Sequence, residues 1–275
     1  MQSHPAQAFS NDTNDTHLAL AEFAPTGDRI QTTILGTRID ALSWEQILGR
    51  IIRWTQQSRA HMVYLCNVHT ITTARYDPAL ARALSQSDLN LPDGAPLAWL
   101  MRRREWLEQQ RIAGPDLMWQ LLREAEKLQL RIFLLGSTAA TLGRLRRNLV
   151  RAFPRLIIAG SVAPPFRTLS IPEQQTIVDT INRSDAHIAL VGLGCPKQEI
   201  WMATHRDSLR AVLVGVGAAF HYHAGSLRRA PQSWQRLGLE WLYRWLQEPR
   251  RLTRRYLLAN LLFLLALPVE LWRSH

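Results

Sequence analysis

The feature that most constrains this chain is a repeating alternation between residues 29 and 226. Short apolar runs of strand length take turns with longer stretches of helical periodicity. The runs at 33–35, 62–66, 89–91, 131–135, 156–159, 188–191 and 212–214 read as strands. Those at 43–57, 69–86, 94–103, 115–128, 138–151, 172–183 and 197–206 read as helices. Several helices carry start signals: Ser43 ahead of Trp44-Glu45-Gln46, Pro172 in a first turn, and Pro196 just before Lys197. Regular strand–helix alternation predicts an α/β fold, a Rossmann-like parallel sheet covered by helices on both faces. In such sheets ligands gather at the carboxyl ends of the strands, so chemistry belongs immediately after each run. The residues found there are Asn67, Pro92-Asp93-Gly94, Gly136-Ser137, Gly192-Leu193-Gly194 and Gly215-Val216-Gly217.

Either side of the alternating region the pattern changes. Residues 1–28 are polar and aperiodic and predict a disordered tail. From about Ala230 helical periodicity continues without strands, so 29–226 reads as the sheet domain and 227–275 as a helical appendage. Charge is what gives the appendage its meaning. The chain carries 33 Lys and Arg against 22 Asp and Glu, a formal charge of +11, which calls for an anionic partner. Arg228, Arg229, Arg236, Arg244, Arg250, Arg251, Arg254 and Arg255 face only Glu240 and Glu248 in the same segment. Among them stand Trp234, Trp241, Tyr243, Trp245 and Tyr256, and then an apolar run from Leu257 to Leu267 broken only by Asn260.

From Tyr256 to Val269 a helix would span roughly 21 Å, short of the ~30 Å hydrocarbon core, with Pro268 and Glu270 ending the run. An interfacial helix is expected, with its arginines on lipid phosphates. The alternative is a helix that packs on the sheet domain or on another copy of the chain. A nucleic-acid partner is disfavoured because the basic residues adjoin the apolar run. The first residues lack the basic start and apolar core of a signal peptide, and Cys66 and Cys195 lie far apart. A reduced cytoplasmic setting, peripheral on the inner face of the cell membrane, is the expectation.

Candidate chemistry centres on a few positions. Asp93, between Pro92 and Gly94, is placed to accept a proton from a hydroxyl, or simply to cap the helix that follows. Asn67 suits a sugar or ribose hydroxyl, or again a cap. Gly194, Pro196, Lys197, Gln198 and Glu199 combine close backbone approach, a helix start and a cation, which suits a phosphate; an ordinary turn is the alternative. Gly136 with Ser137 and Thr138 offers a second phosphate contact or a structural turn. Arg111, with Gly114 and Asp116 nearby, suits a pyrophosphate. Asp-x-Asp, paired-cysteine and His-x-x-x-His patterns are absent from the sequence, so no metal is expected; nor is there GxSxG, a dinucleotide glycine fingerprint or a P-loop, and no cofactor is expected either.

These stretches, taken in order, resemble the WecG/TagA/CpsF glycosyltransferases (glycosyltransferase family 26). The resemblance runs through Ile34-Leu35-Gly36 with Ile39-Asp40, Asn67, Ala74-Arg75, Asp77-Pro78 and Leu91-Pro92-Asp93-Gly94. It continues through Arg111 with Gly114 and Asp116, the 192–199 segment, the 215–220 segment with Ala224-Gly225, Arg229-Ala230-Pro231, and the run from Gly238 to Arg255. It implies an inverting, metal-independent transfer from a UDP-sugar to an undecaprenyl-pyrophosphate-linked saccharide in cell-surface or exopolysaccharide biosynthesis. The transferred sugar would be N-acetylmannosamine, N-acetylmannosaminuronate or glucose. Asp93 matches the family's proposed base; Asn67, Arg111 and Gln198 match its proposed substrate contacts, and the arginine-rich segment matches an appendage that closes the site and meets the membrane. Three positions depart from the pattern. Leu65 stands where many relatives have Thr, His221 where many have Asp, and Pro115 where Ser or Thr is usual. The first two bear on the choice of sugar more than on whether transfer occurs. Competing readings are a non-catalytic, membrane-attached nucleotide-binding module and, against the missing glycine fingerprint, a nicotinamide oxidoreductase.

Overall fold

The computed structural model describes residues 30–104 and 106–272, with the side chains of Arg254 and Arg255 left aside. The tail expected at 1–28 lies outside the described residues. Strands β1 (Gln31–Ile34) and β2 (Thr37–Asp40) pair antiparallel as a hairpin separate from the main sheet. The run at 33–35, expected to open the parallel series, is therefore half of a hairpin. Its turn explains why: Leu35 and Gly36 both adopt positive φ, 48° and 81°, and a two-residue turn can only join antiparallel neighbours.

Six strands form the main sheet: β3 (Met62–Cys66), β4 (Leu89–Pro92), β5 (Arg131–Gly136), β6 (Ile157–Val162), β7 (Ile188–Gly192) and β8 (Val212–Gly215). All pair in parallel in the order β4-β3-β8-β7-β5-β6. Alternate side chains of each strand feed two cores. Val63, Leu65, Ile132, Leu134, Leu190 and Val214 point to one face. It is covered by α1 (Trp44–Trp54), α5 (Gly114–Lys127) and α6 (Ala139–Ala152). Met62, Tyr64, Phe133, Leu135, Val191 and Leu213 point to the other. There they meet α2 (Val68–Ala74), α3 (Pro78–Ser85), α4 (Ala95–Arg103), α7 (Ile171–Arg183) and α8 (Lys197–His205). Burial on both faces is what near-continuous apolar strands require.

The single helix expected over 69–86 is two. Pro78 disfavours helical backbone at the residue before it, and the Asp77 carboxylate accepts from Ala79 N (3.0 Å) and Leu80 N (3.1 Å) to start a new one. After β8 a short α9 (Ala219–His223) leads to α10 (Gln232–Arg236), α11 (Glu240–Gln247) and the long α12 (Pro249–Trp272).

Helix α12 overturns the expected stop at Pro268. It runs 24 residues, about 36 Å, which by length and composition is enough to cross a membrane. Four residues from its end, proline removes a single backbone hydrogen bond, and contacts beyond it hold the last turn. Glu270, buried, receives Arg104 Nη2 at 2.5 Å and Leu35 N at 3.2 Å. Arg104 also donates to the Thr33 carbonyl at 2.6 Å, so the helix end is clamped to the hairpin. Leu252, Ala259 and Phe263 are buried, the last two in the core that holds Ile71 of α2, whereas Leu257, Leu258, Leu261, Leu264, Leu265 and Trp272 face outward. One face packs on protein; the other is apolar and, among the described residues, uncovered.

Candidate active site

The carboxyl ends of β3, β4, β7 and β8 open into a cleft of about 800 Å³, roofed by α11 and α12. Asp93 stands in it at the end of β4. Its backbone is fixed by Asp93 N donating to the Cys66 carbonyl (2.7 Å) and Ile112 N to the Pro92 carbonyl (2.9 Å). Gly94 follows at φ 125°, a conformation that favours glycine and turns the chain into α4. Burial is the largest influence on the Asp93 carboxyl and pushes its pKa up to about 6; Arg111 opposes this, while Glu240 and Asp116 add to it. A quarter of the side chain remains open to the cleft.

Arg111 is shared between that carboxylate and a second one. Its Nη2 donates to Glu240 Oε2 at 2.5 Å, while its Nε stays 3.7 Å from Asp93 Oδ1. Glu240 in turn lies 3.4 Å from Arg229 Nε, and Arg229 grips Asp116 with two hydrogen bonds of 2.5 and 2.6 Å. Asp93, Arg111, Glu240, Arg229 and Asp116 thus form a line of alternating charge. It joins the end of β4, the loop before α5 and the first turn of α5 to the start of the appendage. Gly114 is closely packed: an added Cβ would stand 3.1 Å from both Leu65 Cδ1 and the Val216 carbonyl oxygen, so a neighbour would have to give by a few tenths of an ångström.

Asn67 lines the cleft and also caps α2, its Oδ1 accepting from Thr70 N at 3.1 Å. The two readings of Asn67 therefore coexist. In the 192–199 segment, Gly194 adopts φ 81° and its N–H donates to Gln198 Oε1 at 3.3 Å, while Gln198 Nε2 donates to Glu199 Oε1 at 2.9 Å. Leu193, Gly194, Cys195, Gln198 and Glu199 reach the cleft; Lys197 is exposed, and neither it nor Pro196 is among the lining residues. Gly136 lies behind the lining. A Cβ there would come within 2.5 Å of the Gly192 backbone, so this glycine lets β5 and β7 approach. Its neighbour Ser137, at φ 61°, does face the cleft, 3.4 Å from His221 Nε2.

The predicted arginines separate into groups. Arg244 and Arg251 line the cleft, Arg229 is committed to Asp116 and Glu240, and Arg228 and Arg250 lie exposed outside it. Arg254 and Arg255 belong to α12, but their side chains are outside the described residues. Arg244 is only 8% exposed; it pairs with Glu248, and its Nη1 is buried with no hydrogen-bond partner among the described residues. A buried guanidinium with spare donors facing a cleft is built to receive an anion. His221 sits beside these cations, and burial first, then Arg244 and Arg251, holds its pKa below the usual imidazole range. Sequence reasoning assigned no role to Glu240 or Tyr222, noted His221 only as a departure bearing on the choice of sugar, and placed Trp241 among the aromatic residues of the appendage; all four line the site. The one available signal was Glu240 itself, a carboxylate in an arginine-rich segment. Among the described residues no group of three or more His, Cys, Asp or Glu is placed to hold a metal ion.

Those positions are spread across nearly the whole sequence, as is the family match. A family model described as the Glycosyl transferase WecG/TagA/CpsF family matches residues 32–275. The chain belongs to this family. A glycosyltransferase role follows, on a six-stranded parallel sheet with helices on both faces and an apolar helix at the C-terminal end. Within WecG/TagA/CpsF membership, the cleft at the strand ends is where the transfer chemistry has its candidate groups.

Proposed function

We propose that this glycosyltransferase moves a sugar, with inversion, from a UDP-sugar to a saccharide carried on a lipid pyrophosphate such as undecaprenyl pyrophosphate. N-acetylmannosamine, N-acetylmannosaminuronate and glucose are the donor sugars to consider. The observation that carries the reading is the pairing of Asp93 with Arg244 in one cleft: a carboxylate whose pKa burial lifts to about 6, and a buried guanidinium with unused donors. A base near neutral pKa is efficient at taking a hydroxyl proton. In the step we infer, the acceptor hydroxyl loses its proton to Asp93 as its oxygen bonds to the anomeric carbon. The anomeric carbon–oxygen bond to the donor phosphate breaks on the opposite face, and UDP leaves with that electron pair. Arg244 and Arg251 supply cationic donors for the departing or lipid-borne pyrophosphate, the stabilisation needed where charge develops.

Gln198, Asn67 and the Gly194 backbone line the sugar–nucleotide side. The outward apolar face of α12 would rest on the cytoplasmic leaflet, bringing the cleft to a membrane-bound acceptor; a single such helix is by itself modest support. The test is a screen of several UDP-sugars against a short-chain lipid-pyrophosphate saccharide, with products read by mass. A product one hexose-type residue heavier than the acceptor is expected with at least one donor. Absence of transfer across the whole panel, with folded protein, contradicts the proposal.

A further inference from the structure

In the first turn of α8 two adjacent side chains are tied to each other. Gln198 and Glu199 are both buried, and both reach the cleft. The Gln198 amide is held from two directions. Its Oε1 accepts from the Gly194 N–H at 3.3 Å, and its Nε2 donates to Glu199 Oε1 at 2.9 Å. The end of β8 closes a third side, where a Cβ on Gly215 would stand 3.0 Å from Gln198 Nε2. A glutamine amide carries two N–H donors and two acceptor lone pairs. One of each is spent on these neighbours, so one N–H and one lone pair are left for a ligand.

The bond to Glu199 decides which end of the amide stands where. A backbone N–H can only donate, and so can an amide nitrogen. Turning the amide over would set Nε2 against the Gly194 N–H and Oε1 against the Glu199 oxygen, two mismatches in a buried site. Glu199 is itself fixed from the core. Tyr64, fully buried on β3, donates its hydroxyl to the Glu199 carbonyl oxygen at 3.0 Å, which pins the first turn of α8 to a central strand. Without the Glu199 carboxyl group the amide keeps only the longer bond to Gly194.

We infer that Glu199 is a positioning residue: it orients the Gln198 amide so that a set N–H and a set lone pair face the UDP of the sugar donor. This role depends on Gln198 meeting the nucleotide, as the proposed function has it. Glu199 acts through its neighbour alone. It has the amide aligned before the ligand arrives, which spares the cost of ordering that side chain on binding.

The test is UDP affinity of the full chain, measured by isothermal titration across a double-substitution cycle. Glu199→Leu keeps the volume and removes the acceptor, and it is expected to weaken UDP binding about tenfold, the worth of one aligned hydrogen bond. Gln198→Ala should cost about the same. The double variant should bind no worse than Gln198→Ala, because Glu199 has nothing left to orient. Glu199→Gln retains an oxygen acceptor and should stay within about threefold of wild type. General loosening of the fold has a different signature. The two losses would then multiply to about a hundredfold in the double variant, and Glu199→Gln would fail as Glu199→Leu does. Either result overturns the proposal, as does a UDP affinity that Glu199→Leu leaves unchanged. A melting curve for each variant shows whether it folds, and Glu199→Met, which also lacks an oxygen acceptor, takes the place of a leucine variant that does not. UDP binding needs no turnover, so the two readings fail separately. The expected coupling in a protein that transfers no sugar would sink the proposed function alone.

Discussion

At the scale of single residues, Asp93 exchanges stability for reactivity. A carboxyl whose pKa is raised by folding favours the protonated form in the native state. Its unfavourable contribution is absent below the unfolded value near 3.8, grows as pH rises, and is complete above about 6. Displacement over that range corresponds to about 3 kcal/mol at most, less whatever water in the open part of the cleft relieves. Asp93→Asn should therefore be more stable than wild type at pH 8, and the gap should close near pH 4. Thermal denaturation at the two pH values measures it, and equal melting at pH 8 would show that the carboxylate is not strained in the fold. The same shift predicts that turnover falls as pH drops below about 6, where Asp93 takes up its proton and can no longer accept one. Asn67, Asp93 and the 192–199 segment were legible in sequence because each follows a strand, and a parallel sheet gathers strand ends. The partners were not. Arg111 and Glu240 lie 129 residues apart along the chain and Arg229 and Asp116 113, and no local spacing tells which cation meets which carboxylate.

Among the elements, the apolar runs at 62–66, 131–135, 188–191 and 212–214 predicted strands closely because burial on both faces leaves little room for polar residues. The hairpin was half hidden: Thr37–Asp40 carries Thr, Arg and Asp and pairs through a turn that only its positive φ values reveal. Helix α12 exceeded its predicted end because periodicity registers Pro268 as a stop but not the Arg104–Glu270 clamp beyond it. That clamp ties the end of α12 to the hairpin and to the end of α4, across 235 and 166 residues of sequence. Glu270→Ala removes the carboxylate from the half-buried Arg104 and the acceptor from Leu35 N, a loss of at most about 3 kcal/mol by the behaviour of broken buried pairs. A lowered denaturant midpoint measures it; an unchanged one would mean the last turn of α12 contributes nothing to the fold.

For the whole molecule, the appendage presents two different sides. Its inner side carries Glu240, Arg229, Arg244 and Phe263 to the cleft and core; its outer side carries the exposed leucines of α12. An apolar surface flanked by Arg250 and Arg251 suits an anionic lipid leaflet. Leu258→Glu together with Leu265→Glu should reduce cosedimentation with vesicles containing anionic lipid while leaving the melting temperature within a few degrees, since both positions are exposed. Undiminished vesicle binding by that variant would move the membrane contact elsewhere.

The central claim is that Asp93 is the base of a glycosyl transfer in this cleft. Turnover of Asp93→Asn, measured beside its UDP affinity with a donor–acceptor pair the wild type uses, tests that claim most directly. The account predicts UDP binding close to wild type and a rate lower by around 100-fold or more. Near-normal turnover by a folded Asp93→Asn protein would contradict it.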